Sequence, residues 1–107
     1  MTQTTKTRRE SLEGFVNSNP SDAFARYGLA LECAKLGDDA AAKDHFQQLL
    51  AANSSYVAGY FQYGQLLARL GENSEARRIL SAGVAVANDV GDLHARDEMQ
   101  AALAALP

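Results

Sequence analysis

The chain has 107 residues, of which 47% are apolar and 21% charged, so it suits one folded domain burying roughly two-thirds of its unfolded surface and is too apolar for wholesale disorder. Ten basic residues against thirteen acidic ones leave a formal charge of -3, the wrong sign for a surface that neutralises nucleic-acid phosphates. Cys33 is the only cysteine, which excludes an internal disulfide and a cysteine-rich metal cage.

Residues 1–7 predict a flexible polar lead-in. Met1 to Glu10 are Thr-rich and basic, without the apolar core of a secretory signal. The longest uncharged run, Phe46 to Ala68, is interrupted by Gln47, Gln48, Asn53, Ser54, Ser55, Gln62 and Gln65, too many polar groups for a membrane span. A cytoplasmic protein with no membrane partner is the expectation.

Apolar residues then recur at helical spacing in five or six blocks, with no sustained alternation, so the chain should be all-α. A first helix is expected over Arg8 to Asn17, with Leu12, Phe15 and Val16 on one side, ended by Asn19-Pro20-Ser21. A second runs from about Asp22 to Lys35 and stops at Gly37. Glycine suits the left-handed position that closes a helix, and Asp38 can accept hydrogen bonds from the amides that open the next one, about Asp39 to Ala51. The same grammar returns with a helix from Tyr56 to Arg69, a stop at Gly71, and a helix from about Asn73 to Ala87. Asn88-Asp89-Val90-Gly91-Asp92 reads as a break, and a last helix from about Leu93 to Ala105 presents Met99, Leu103 and Leu106 on one face.

The repeat is the central feature. Lys35-Leu36-Gly37-Asp38 returns as Arg69-Leu70-Gly71-Glu72, and 71 minus 37 is 34. That interval is the period of a helical-pair unit, which cannot bury its apolar face alone and so stacks on its neighbours. The units are set as 23–56 and 57–90, with 8–17 as a partial leading unit, 91–105 as a capping helix, and 8–107 as one domain.

With Leu29, Ala30, Gly37, Ala42 and Phe46 in the first unit and Tyr60, Gly64, Gly71 and Ala76 in the second, the chain resembles the tetratricopeptide repeat family. The resemblance implies a right-handed superhelix of antiparallel helix pairs. Small residues at Ala30, Ala42, Gly64 and Ala76 would let backbones approach, while Leu29, Phe46, Leu67 and Leu80 fill the space between them. Some positions depart from the pattern: Arg26 stands where a large aromatic is usual, Tyr63 where Leu is usual, Leu80 replaces the late aromatic, and Ser54 and Asn88 replace the closing Pro. Pentatricopeptide repeats, which read single-stranded RNA, would be basic, and this chain is not.

The resemblance also implies a function. In the family the first helix of each pair lines a concave groove, and the matching positions here are Phe24, Tyr27, Leu31 and Lys35, then Phe61, Gln65 and Arg69. Tyr27 and Phe61 are 34 apart, so they are equivalent, and two aromatics on one face suit an apolar anchor of a peptide or helix from a partner protein. Alternatively, both rings pack on the last helix or on neighbouring helices. Members that grip terminal carboxylates use Lys and Asn on these helices. The matching places here hold Tyr27, Leu31, Gln62 and Gln65, so that clamp is not expected. A competing reading is a self-assembly module, a homodimer formed through apolar residues near one end: Val84, Val86, Met99, Leu103 and Leu106.

No enzyme is expected. The chain lacks the phosphate-loop, HExxH, CxxC and GxSxG patterns. His45 beside Asp44 could suggest a base oriented by a carboxylate, but helix neighbours point in different directions, so a half-exposed flank is the plainer reading. His94 reads as surface and Cys33 as a small buried apolar group. Asp38 and Asp39 read as a helix cap, and Asp89 and Asp92 as solvated loop and cap, so no metal and no cofactor are expected.

Overall fold

Only glycine enters the left-handed backbone region without steric penalty, and three glycines there set three of the five reversals among the described residues. In the computed structural model, which describes residues 5–107, Gly37, Gly71 and Gly91 have φ of 80°, 77° and 79°, and no other described residue has positive φ. At the first turn Gly37 N–H donates to Ala34 O at 3.1 Å and Asp38 N–H to Cys33 O at 2.9 Å. Thirty-four residues later, Gly71 donates to Ala68 O at 3.1 Å and Glu72 to Leu67 O at 2.9 Å. The two turns are one structure written twice.

Six helices result among the described residues, with no strand: α1 (Arg8–Ser18), α2 (Ala23–Lys35), α3 (Asp39–Ala52), α4 (Val57–Arg69), α5 (Asn73–Val90) and α6 (Leu93–Ala104). The all-α expectation holds. Of the lead-in expected over residues 1–7, residues 1–4 lie outside the described residues. Thr7 caps α1 through a reciprocal pair, Glu10 N–H to Thr7 Oγ1 and Thr7 N–H to Glu10 Oε1, both 3.1 Å. Asp22, Asp38 and Asp92 each accept the backbone N–H three residues on, at 2.9, 3.2 and 3.1 Å. Glu72 makes no such side-chain bond at the start of α5.

Helix α5 corrects the sequence reading. Asn88, Asp89 and Val90 are helical rather than a break, and the stop falls at Gly91. Asn and Asp have poor helix propensity, but a helix ends where a residue can turn left-handed and satisfy its last carbonyls. Gly91 does this, with its N–H on Asn88 O and that of Asp92 on Ala87 O at 2.8 Å. Asp89 therefore lies on a helix, and only Asp92 is a cap.

The chain divides into two compact units, one ending at Ala52 and the other spanning Asn53–Pro107. In the first, α2 and α3 form the hairpin and α1 packs on α2. Its core is Val16, Ala25, Leu29, Ala30, Cys33, Ala42, Phe46 and Leu49. Phe15, expected on the apolar side of α1, stays 49% exposed. Among the described helices α1 has one partner, so a narrow stripe suffices, with Val16 buried and Leu12 half-buried. Arg8 reaches Glu32 on α2 at 3.5 Å, and Arg9 reaches Asp38 at 2.9 Å, which ties α1 to one arm of the hairpin and to its turn.

In the second unit α5 packs on both α4 and α6, over a core that includes Tyr60, Tyr63, Leu66, Leu67, Ala76, Ile79, Leu80, Ala87 and Met99. The small residues named from sequence are all buried, and so are Leu29, Phe46, Leu67 and Leu80. Gly64 shows why size matters: a Cβ there would lie 2.4 Å from Leu80 Cδ2. Gly83 is a second such point, since a Cβ would meet Met99 Sδ at 2.5 Å and Tyr60 Cβ at 2.6 Å.

These contacts set two stability tests by urea titration. Gly83→Ala should destabilise by about 1–3 kcal/mol, because the Tyr60 Cβ cannot swing away. Gly14→Ala, on an exposed helical face with nothing within 4 Å of the new Cβ, should instead stabilise by about 0.5–1 kcal/mol. Equal midpoints for the two variants would contradict the assigned crossing. Separately, Gly37→Val should cost about 1 kcal/mol or more, because valine is strained at that φ; an unchanged midpoint would contradict the turn.

Candidate interaction surface

A helix turns about 100° per residue, so Phe24, Tyr27, Leu31 and Lys35, spaced 3, 4 and 4 apart, form one stripe along α2. None is buried. Phe24 is 77% exposed, more than any other large apolar side chain among the described residues; Lys35 is exposed, and Tyr27 and Leu31 are half-buried. Burial pushes the Tyr27 phenol above its usual pKa of 10.0, so it stays neutral at physiological pH.

In the second unit Phe61, Gln65 and Arg69 form the matching stripe on α4, Phe61 half-buried and the other two exposed. Beside it lies a hollow of about 550 Å³ between Gln65, Ala68 and Gly71 on one side and Ala102, Ala105 and Leu106 on the other. Small side chains leave this space open next to the stripe. Met99 is fully buried beneath Gly83 and Tyr60, so it belongs to the core of the unit rather than to any outer face. Leu103 and Leu106 are half-buried.

The reverse side of α2 holds an arrangement that sequence inspection missed. Glu13 and Asn17 from α1, Arg26 from α2, and His45 and Gln48 from α3 surround a cleft of about 500 Å³ above Val16 and Leu29. Arg26 Nη1 lies 3.2 Å from His45 Nδ1. A guanidinium only donates, so Nδ1 accepts and the imidazole carries its proton on Nε2. His45 is thus oriented by Arg26 and not by Asp44, whose carboxylate accepts from Gln48 Nε2 at 2.7 Å. Burial first, and then the Arg26 charge, push His45 below the usual imidazole pKa of 6.5. The available signal was Arg26 itself, a cation at a position where the family carries an aromatic.

The remaining polar groups behave as surface or cap. His94 Nε2 meets Glu98 at 2.9 Å on an exposed flank of α6. Asp38 is held below the ordinary carboxylate range by Arg9 first and then by the Ala41 N–H. Cys33 is buried, and burial pushes its thiol up, away from the reactive thiolate. Among the described residues no group of three His, Cys, Asp or Glu could hold a metal ion, and no helix is long and apolar enough to cross a membrane.

No family model matches the chain. It is 30% identical over 90 residues to a TPR repeat-containing protein of Pseudomonas aeruginosa, across 84% of this chain and 86% of that protein. The tetratricopeptide repeat domain protein of Salinibacter ruber, solved in solution, matches with a TM-score of 0.75 and 32% identity, over 78% of this chain and 85% of that one. A protein of Bordetella parapertussis shares the fold, with a TM-score of 0.79 over 92% of this chain and 86% of that one, at 24% identity. The chain therefore belongs to the tetratricopeptide repeat family, whose fold generally serves as a protein-interaction scaffold.

The Arg26–His45 pair sets a pH test. The folded imidazole titrates below its unfolded value of 6.5, so the unfolded chain binds this proton more readily and the contribution to stability is lost as pH falls below that value. His45→Gln should flatten the fall in urea midpoint between about pH 7 and pH 5, where an imidazole titrates. An identical slope in wild type and variant would contradict the pairing.

Proposed function

We propose that this tetratricopeptide repeat chain is an adaptor that holds a peptide or helix of a partner protein against the first helices of its pairs, α2 and α4. The observation that carries this reading is the stripe of α2, where Phe24 stays 77% exposed beside half-buried Tyr27 and Leu31. An exposed aromatic next to two partly sheltered apolar side chains supplies contact area at low entropic cost. Phe61 is the equivalent of Tyr27 one period later, and the hollow beside α4 offers space for a partner side chain next to Gln65. Arg69 and Lys35 end the two stripes with positive charge, which suits an apolar anchor flanked by acidic residues.

The role is one of binding and not of catalysis, in keeping with how the family is generally used. Self-assembly through the far end is the weaker reading. Of its motivating residues Met99 is fully buried, and Val84, Val86, Leu103 and Leu106 are half-buried.

Partners recovered with the intact chain should bind Tyr27→Ala and Phe61→Ala at least about tenfold more weakly by calorimetry, the usual size of a central aromatic contact. Helical circular dichroism should be unchanged in both variants. If neither substitution weakens any recovered contact, the groove reading fails.

A further inference from the structure

Arg26 and Leu29 lie on the side of α2 opposite Phe24, Tyr27, Leu31 and Lys35, at about 100° per residue. The cleft they line is therefore separate from the stripe proposed above.

Its chemistry comes from a difference between the two helix pairs. Arg26 precedes Tyr60 by 34 residues, and His45 precedes Ile79 by 34. In the second pair Tyr60 and Ile79 are buried, and the Tyr60 hydroxyl donates to Ser54 O at 2.7 Å, which closes the site. In the first pair a half-buried guanidinium takes the place of the ring. Its one hydrogen-bond partner among the described residues is the neutral imidazole of His45, and no carboxylate there reaches it within ion-pair distance. Glu13 lines the same cleft, but Arg9 engages it at 3.4 Å. Gln48 already donates to Asp44.

The cleft thus has donors to spare. A guanidinium carries five N–H groups in a planar fork, and one is engaged; the tautomer fixed by Arg26 leaves Nε2–H of His45 as a second donor. We propose that this cleft binds a carboxylate presented by an acidic side chain of a partner segment, with Arg26 as the fork and His45 Nε2–H as the second donor. The planar fork matches a carboxylate, and Glu13 on the same wall repels a doubly charged phosphate more than a single negative charge.

The site is coupled to proton uptake at His45. Arg26 from α2 and Arg9 from α1 oppose a charge on the ring, while Glu13 from α1 and Asp44 on α3 favour it. A bound carboxylate adds to the second group, so binding tightens as pH falls through the His45 titration.

The test is an NMR titration of the full chain with N-acetyl-glutamate amide, whose only charge is the side-chain carboxylate. Saturable shifts are expected at Arg26, His45 and Asn17, with a Kd on the order of millimolar, and binding roughly threefold or more tighter at pH 5.5 than at pH 7.5. The neutral N-acetyl-glutamine amide should give none, and inorganic phosphate and free acetate should both bind more weakly. Arg26→Tyr, which installs the residue of the second pair, should abolish the shifts while leaving the helical circular dichroism intact; Arg26→Gln serves if that variant does not fold. Absence of saturation, equal shifts in the variant, or tighter binding of phosphate would overturn the carboxylate assignment. Acetate binding as tightly as the glutamate amide would overturn the peptide source.

Discussion

Three of the five reversals between the described helices, those after α2, α4 and α5, each depend on one residue with no Cβ. At Gly37 and Gly71 the backbone must enter the left-handed region so that the final carbonyls of α2 and α4 meet the amides of the residues beyond them, and the bond lengths at the two turns agree. Once both turns are fixed at the same place in the period, the two following helices return along their partners in the same register. Ala42 and Ala76 then fall at equivalent buried points, and the contact between Gly64 and Leu80 becomes possible. The close packing is therefore downstream of the turn. A helix that overran by one residue would rotate its apolar stripe by about 100° and present other side chains to the hairpin.

Identical backbone grammar leaves side chains free to diverge, and the two pairs use that freedom differently. Tyr60 fills the start of α4 with a ring whose hydroxyl still finds a carbonyl, so its burial leaves no polar atom unsatisfied. Arg26 at the equivalent place cannot be buried so cheaply, because its charge needs partners. It stays half-buried, turns His45 into an acceptor, and keeps a cleft open between three helices. Gly83 follows the opposite course. Its equivalent in the first unit is Leu49, and removing that side chain from α5 makes room for Met99 of α6 to lie against Tyr60. The first unit accommodates a polar site, and the second accommodates Met99 of a third helix.

Much of this was legible from residues alone, because the responsible signals are local. A glycine 34 residues from another glycine, each followed by an acid, states both the period and the turn. The extent of α5 was not legible, since Asn88 and Asp89 look like punctuation until the left-handed residue that ends the helix is identified as Gly91. Phe15 was misplaced because periodicity shows which side of α1 is apolar but not how much of that side a single partner helix covers. Gly83 carried a usable signal: a glycine inside a long helix costs about 1 kcal/mol against alanine, and such a residue persists where another chain segment comes too close for a methyl group. The Arg26–His45 contact spans 19 positions and two helices, so no local pattern announces it.

Helix α2 consequently has two faces with different physics. One carries Phe24, Tyr27 and Leu31, where association would remove apolar area from water, with salt acting only through Lys35 at its end. The other carries Arg26, where association would depend on charge, weaken with ionic strength, and follow the protonation of His45. Separate contacts of modest strength on opposite sides of one helix allow a scaffold to hold a partner by the first and to adjust that hold through the second, with no rearrangement of the helices themselves. Coupling of that kind needs only that a single partner reach both sides, or that two partners share α2. In either case Leu29, beneath the cleft, and Ala30 are fully packed, and a close-packed helix resists displacement when one side is occupied.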